Sequence, residues 1–178
     1  MKRMDGPLAQ LLKEDHRRLD RLLESAVAVP DRVDESAYAQ FRAGLLRHIG
    51  MEEKILLPAI QRLRNREPLP VAARLRRDHG TLAALLMPTP TAAIVATIRS
   101  ILEEHNALEE GAAGLYETCD GLAGSEAERI LANLRAAPEV TVMPYSDSPA
   151  VMNAVRRALE RAGRRFPDHD PAEGKEPR

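Results

Sequence analysis

Four separated stretches of this chain carry apolar residues at helical spacing, and in each a histidine takes a place that packing alone would give to leucine. The second stretch is the most constraining. Phe41, Leu45, His48, Glu52, Ile55 and Ala59 follow one another in steps of four and three, so an imidazole and a carboxylate stand one above the other on a single helix face. The pair recurs as His105 and Glu109, in the stripe Ile94, Ile98, Ile101, His105, Glu109, Ala112. His16 sits in the series Leu8, Leu12, Leu19, Leu23, and His79 in the series Val71, Leu75, Leu82, Leu86. The order along the chain is His, His-x-x-x-Glu, His, His-x-x-x-Glu. It is also a repeat. Asp15-His16 precedes Asp78-His79 by 63 residues, His48 and Glu52 precede His105 and Glu109 by 57, and a second acid follows each glutamate, as Glu53 and Glu110.

These stripes predict an all-α fold: an up-down-up-down four-helix bundle, because the connections are short, with a short C-terminal helical appendage. Pro7 opens the first helix, which ends near Val29-Pro30, and Asp34 caps the second. Pro58 removes one ladder hydrogen bond, so a kink or an early end is expected one turn after Glu52. The third helix starts at Pro68 or Pro70 and stops at Met87-Pro88-Thr89-Pro90, and Thr91 caps the fourth. The bundle is expected over residues 7–120 and the appendage over 121–165. In the appendage, Ser125 and Glu128 read as a capping box opening a helix to about Arg135, and Ser148-Pro149 starts another that runs to Gly163. Residues 166–178, with His169, read as a disordered tail.

Composition narrows the function. The 178 residues hold 26 Lys and Arg against 27 Asp and Glu, a balance that gives no electrostatic ground for nucleic acid. A lone Cys119 excludes an intramolecular disulfide, the start MKRMDGPLAQ lacks the apolar core of a signal peptide, and no run approaches the roughly 18 apolar residues of a membrane span. The expected setting is the cytoplasm, with no membrane partner.

Four imidazoles and two carboxylates on inward stripes are a costly buried polar cluster unless a cation gathers them. These donors suit zinc, manganese or non-haem iron. Two glutamates can each bridge two metals and four histidines divide two apiece, leaving positions open for water, oxo, O₂, NO or peroxide. A structural zinc site is closed at four ligands and usually includes Cys, whereas Cys119 lies outside the constellation. Taken singly, each residue has a plainer reading: a core histidine for His16 or His79, an ion pair for either His-x-x-x-Glu, a small apolar residue for Cys119. Tyr116, seven after Glu109, is either a hydrogen-bond donor or redox side chain just beyond the site, or core packing. Asp15 and Asp78 either orient imidazoles or act as caps and surface partners.

Asp15-His16, HIGMEEKILLP over 48–58, Asp78-His79 and HNALEE over 105–110 together resemble the hemerythrin-like, or His-His-Glu cation-binding, domains, over about residues 8–120. The resemblance implies a four-helix bundle around a non-haem di-iron centre with His16, His48, Glu52, His79, His105 and Glu109 as metal ligands. Glu110 is the alternative to Glu109, because EEKILLPAI is matched by EEGAAGLYETC, with an extra Gly and no Pro. Oxygen-carrying members resemble one another in a fifth histidine, one turn before the third-helix ligand; Leu75 stands there in this chain. That favours a centre where a small oxidant or NO binds and reacts, or where iron is held labile, over a reversible carrier. The four-His, two-Glu set is similar to that of di-iron proteins of iron–sulfur repair under nitrosative stress, whose additional N-terminal Cys-containing segment this chain lacks. Three readings follow: a binding or sensing module for O₂, NO or peroxide; a di-iron peroxidase or NO-detoxifying enzyme; and a metal-free helical interaction domain. Two irons are the expected cofactor, with zinc or manganese behind.

Overall fold

The structure is a computed structural model that describes residues 5–166. His169 and the rest of the expected tail lie outside the described residues, apart from Phe166, which packs against the core. The expected all-α fold is what the chain adopts, with no strand among the described residues. Helices α1 (Pro7–Ala26), α2 (Glu35–Met51), α4 (Ala72–Leu85) and α5 (Ala92–Glu110) carry the four histidine stripes. The α3 helix (Leu57–Leu63) continues α2 through a π turn at Glu52–Leu56, and α6 (Leu115–Ala123), α7 (Ala127–Arg135) and α8 (Pro149–Arg161) complete the set.

Local chemistry accounts for most boundaries. Asp34 accepts from the Ala37 amide at 2.8 Å, Thr91 from Ile94 at 3.2 Å and Ser148 from Val151 at 3.3 Å, each side chain taking up an amide that the first turn leaves free. The start of α1 is solved from a distance. Gly6 has no side chain to cap with, and Asp120 on α6 accepts from the Leu8 and Ala9 amides, both at 3.0 Å. A Cβ on Gly6 would run into that carboxyl, so any other residue there would displace the Asp120 side chain from its cap. The Ser125 capping box does not form: Gly124–Glu126 is a 3₁₀ turn, Glu126 precedes α7, and no side chain caps it.

Two apolar clusters lie above and below the histidines. One holds Leu8, Leu12, Met51, Leu56, Leu75 and Tyr116; the other holds Leu19, Phe41, Leu45, Leu82, Ile98 and Leu102. His16 lies between Leu12 and Leu19, His48 between Leu45 and Met51, and His79 between Leu75 and Leu82, so the imidazoles share one level between the clusters. Along α1 and α4 the chain runs from the first cluster to the second, and along α2 it returns. The appendage serves both ends. The α7 helix adds Ile130, Leu131 and Leu134 to the first cluster, and α8 adds Val155 and Leu159 to the second. A buried Arg42 ties the segment before α8 down, donating to the carbonyls of Leu86 and Met143 at 2.6 Å each, with its guanidinium 4.6 Å from the centre of the Tyr145 ring. No helix among the described residues is long and apolar enough to cross a membrane.

Candidate metal centre

All six residues singled out by spacing meet in the interior. His16, His48, His79 and His105 are at most 4% exposed, and Glu52 and Glu109 are fully buried. The imidazoles form two pairs through their inner nitrogens, His16 Nε2 to His48 Nε2 at 3.0 Å and His79 Nε2 to His105 Nε2 at 3.1 Å. Each glutamate spans both pairs. Glu52 places Oε1 3.6 Å from His48 Nε2 and Oε2 3.1 Å from His79 Nε2. Glu109 places Oε1 3.1 Å from His105 Nε2 and Oε2 3.4 Å from His16 Nε2. Glu110 lies outside this ring, half-buried, so of the two adjacent acids it is Glu109 that faces the imidazole nitrogens.

The outer nitrogens have carboxylates of their own. His16 Nδ1 meets Glu110 at 2.5 Å, His48 Nδ1 meets Asp15 at 2.9 Å, and His79 Nδ1 meets Glu53 at 2.7 Å. His105 Nδ1 stands 3.5 Å from Asp78, a charge contact without a hydrogen bond. Each imidazole is thus held between an inner and an outer acid, the arrangement that fixes ring orientation and tautomer in metal-binding histidines. The pairing crosses between helices: Asp15 on α1 holds His48 on α2, and Glu53 holds His79 on α4. Spacing along one helix does not reveal this, since Asp15 faces away from its neighbour His16. The signal in the sequence is the repetition of the acids themselves, Asp15 with Asp78 and Glu53 with Glu110.

Protonation follows from the same crowding. Burial alone would lower the His48 imidazole, but the Glu52 carboxylate, with Asp15 and Glu109, raises it to about 10. His105 is likewise lowered by burial and raised to about 10 by Asp78, Glu109 and Glu52, and His79 is raised by Glu52 and Glu53 against the same opposition. Burial raises the Glu52 carboxyl, and His48 and His79 pull it well below its usual range. Asp15 reaches about 2, burial being outweighed by His48 and Arg18. The buried Glu52 carboxylate therefore calls for positive charge beside it, which protons or a metal cation can supply.

Tyr116 takes the first of its two sequence readings, a hydrogen-bond donor at the site, and does so fully buried. It is not on the same helix as Glu109, because α5 ends at Glu110 and the chain turns through residues 111–114 before α6 begins. Gly114 makes that turn possible: a Cβ there would press on the carbonyl oxygens of Glu109, Gly111 and Leu108. The turn brings the fully buried Tyr116 hydroxyl to 2.7 Å from Glu52 Oε1 and 3.2 Å from Glu109 Oε2. Burial, then the charges of Glu109 and Glu52, push that phenol well above its ordinary value. In the other half of the repeat, the helix is not stopped by Pro58. It widens into a π turn over Glu52–Leu56, in which the Leu57 amide donates to the Glu52 carbonyl, and runs on to Leu63 with Pro58 in the first turn of α3.

Two overlapping donor groups are close enough to hold a metal ion, Glu52, His79, His105 and Glu109 in one and His16, His48 and Glu109 in the other. Glu52 Oε2 and Glu109 Oε1 are buried and make no hydrogen bond, although imidazole nitrogens stand 3.1 Å away. Donors this close and yet not bonded to one another fit a set aimed at a shared cation, and a nitrogen and oxygen donor set is chemically suited to one. Comparison with curated proteins, and with solved structures, finds no match. A sequence model of one family does match, the hemerythrin HHE cation binding domain, over residues 8–139. Together with the helical bundle and the buried His/Glu cluster, that match over most of the length makes the chain a member of the hemerythrin HHE cation-binding family, and its centre one that binds metal.

Proposed function

We propose that the chain holds two non-haem irons, one by His16 and His48 and one by His79 and His105, bridged by Glu52 and Glu109, and that this centre binds or senses a small oxidant or diatomic molecule. The observation that carries the reading is that each buried glutamate turns one oxygen to each imidazole pair. The outer acids keep the Nδ1 protons in place, so the inner nitrogens are free to act as donors. The apolar clusters on either side keep bulk water from the level of the imidazoles. Bound iron supplies Lewis acidity and one-electron redox change to whatever small molecule reaches it.

Space supports a small ligand. The void beside the four imidazoles is ≈ 10 Å³, room for about one water-sized probe. It shares Asp20, Leu102 and Asn106 with an outer groove of ≈ 660 Å³ along α1 and α5, the route by which O₂, NO or peroxide can arrive. Leu75, packed in the first apolar cluster where oxygen carriers of the family have a further imidazole, supports sensing, reaction or labile storage over reversible carriage.

The test is anaerobic loading of the purified protein with ferrous iron, followed by optical spectra before and after O₂ or NO. Two irons per chain and a spectral change on exposure are expected, and Glu52→Ala should bring the content below one. Failure of the wild type to take up iron would sink the reading. Sustained turnover of peroxide or NO, lost in Glu52→Ala, would move it from sensor to enzyme.

A further inference from the structure

We propose that Tyr116 is a seventh metal ligand, binding through its phenolate oxygen to the cation held by His16 and His48. This rests on the di-iron reading and adds a donor that His and Glu spacing does not supply. Two imidazoles and one oxygen from each glutamate face each side of the centre. The Tyr116 hydroxyl adds a further oxygen on the His16–His48 side, 3.0 Å from His16 Nε2 and 3.3 Å from His48 Nε2, as well as 2.7 Å from Glu52 Oε1 and 3.2 Å from Glu109 Oε2.

Those four distances are the spacing of neighbouring donors around one ion. With metal–donor bonds of roughly 2.1 Å, donors at right angles lie about 3 Å apart. The two imidazole nitrogens of that side, at 3.0 Å, have the same spacing. A hydroxyl donates one proton and accepts at most two, so three partners would saturate it. Four polar atoms around it, two from each kind of donor, are more than a hydrogen-bonding tyrosine needs and what a coordinating one would have. The position is specific to α6: it depends on the turn at residues 111–114, and in the first half of the repeat the π turn leads instead into the apolar Leu56 and Leu57.

On coordination the phenol O–H bond breaks, its proton leaves to the buffer as other ligand protons do on metal binding, and a metal–oxygen bond forms; nothing is oxidised or reduced. The experiment is to load the full chain with iron, oxidise it to the ferric state with ferricyanide, and record iron content and the visible spectrum of wild type and Tyr116→Phe. Wild type should show a broad phenolate-to-iron charge-transfer band, and Tyr116→Phe should lose that band while retaining its iron. If Tyr116→Phe does not fold or load, resonance Raman of the wild type, excited in the visible, decides by the presence of phenolate ring modes. Iron-loaded wild type without band or modes, or a band that survives in Tyr116→Phe, overturns the assignment while leaving the di-iron reading intact. A wild type that takes up no iron overturns both.

Discussion

Asp15, Glu53, Asp78 and Glu110 touch the imidazoles from outside, so they can change affinity without removing a donor. Asp15→Asn or Glu53→Gln should weaken iron binding about 10- to 100-fold, read by competition with a calibrated chelator, with the helical content unchanged. An unchanged affinity in both would mean that the outer acids do not support the centre. Cys119 is fully buried in the first apolar cluster, and burial, with the charges of Glu52, Asp120 and Glu109, pushes its thiol up to about 12. It should stay unlabelled by iodoacetamide at neutral pH in the native protein and react once urea unfolds it, as mass spectrometry would show; labelling of the folded protein at the rate of a free thiol would contradict this. The six inward residues were legible because a polar side chain at a stripe position breaks a pattern. Tyr116, Asp15 and Asp78 read as candidates beside the site, but which group each serves depends on contacts between helices that no single period encodes.

At the scale of elements, what one turn of chain decides was readable in advance: the caps Asp34, Thr91 and Ser148 each act within three residues. The widening after Glu52 lies where Pro58 points to a kink, whereas features set by tertiary contact escaped, such as the capping of α1 by Asp120 from 112 residues away. The tie of the pre-α8 segment is similar, with Asp147 accepting from the Thr89 amide at 2.8 Å and the Thr89 hydroxyl at 2.7 Å. Those bonds lower the Asp147 carboxyl below its ordinary 3.8. A lowered acid stabilises the fold fully above its unfolded value and loses that contribution as pH falls through the folded one. Hydrogen exchange at the Thr89 amide should therefore show protection, corrected for intrinsic rates, that is steady from neutral pH to just above 3.8 and falls below it. Protection independent of pH across that window, or equal in Asp147→Asn, would disprove the tie.

For the molecule as a whole, any cation bound only by the folded chain adds its binding energy to stability. At free iron 100 times the dissociation constant this amounts to about 2.7 kcal/mol, or a rise in Tm of roughly 5–11 °C for a chain of this size. Differential scanning calorimetry of iron-loaded and chelator-treated protein measures it, and coincident transitions would argue against a bound metal. The internal repeat carries one more implication. Its copies close off their glutamates differently, by a widened helix after Glu52 and by a glycine-bearing break after Glu110. Were the centre to hold two cations as proposed, halves that have diverged in this way would offer them unequal berths, and the stronger would fill first.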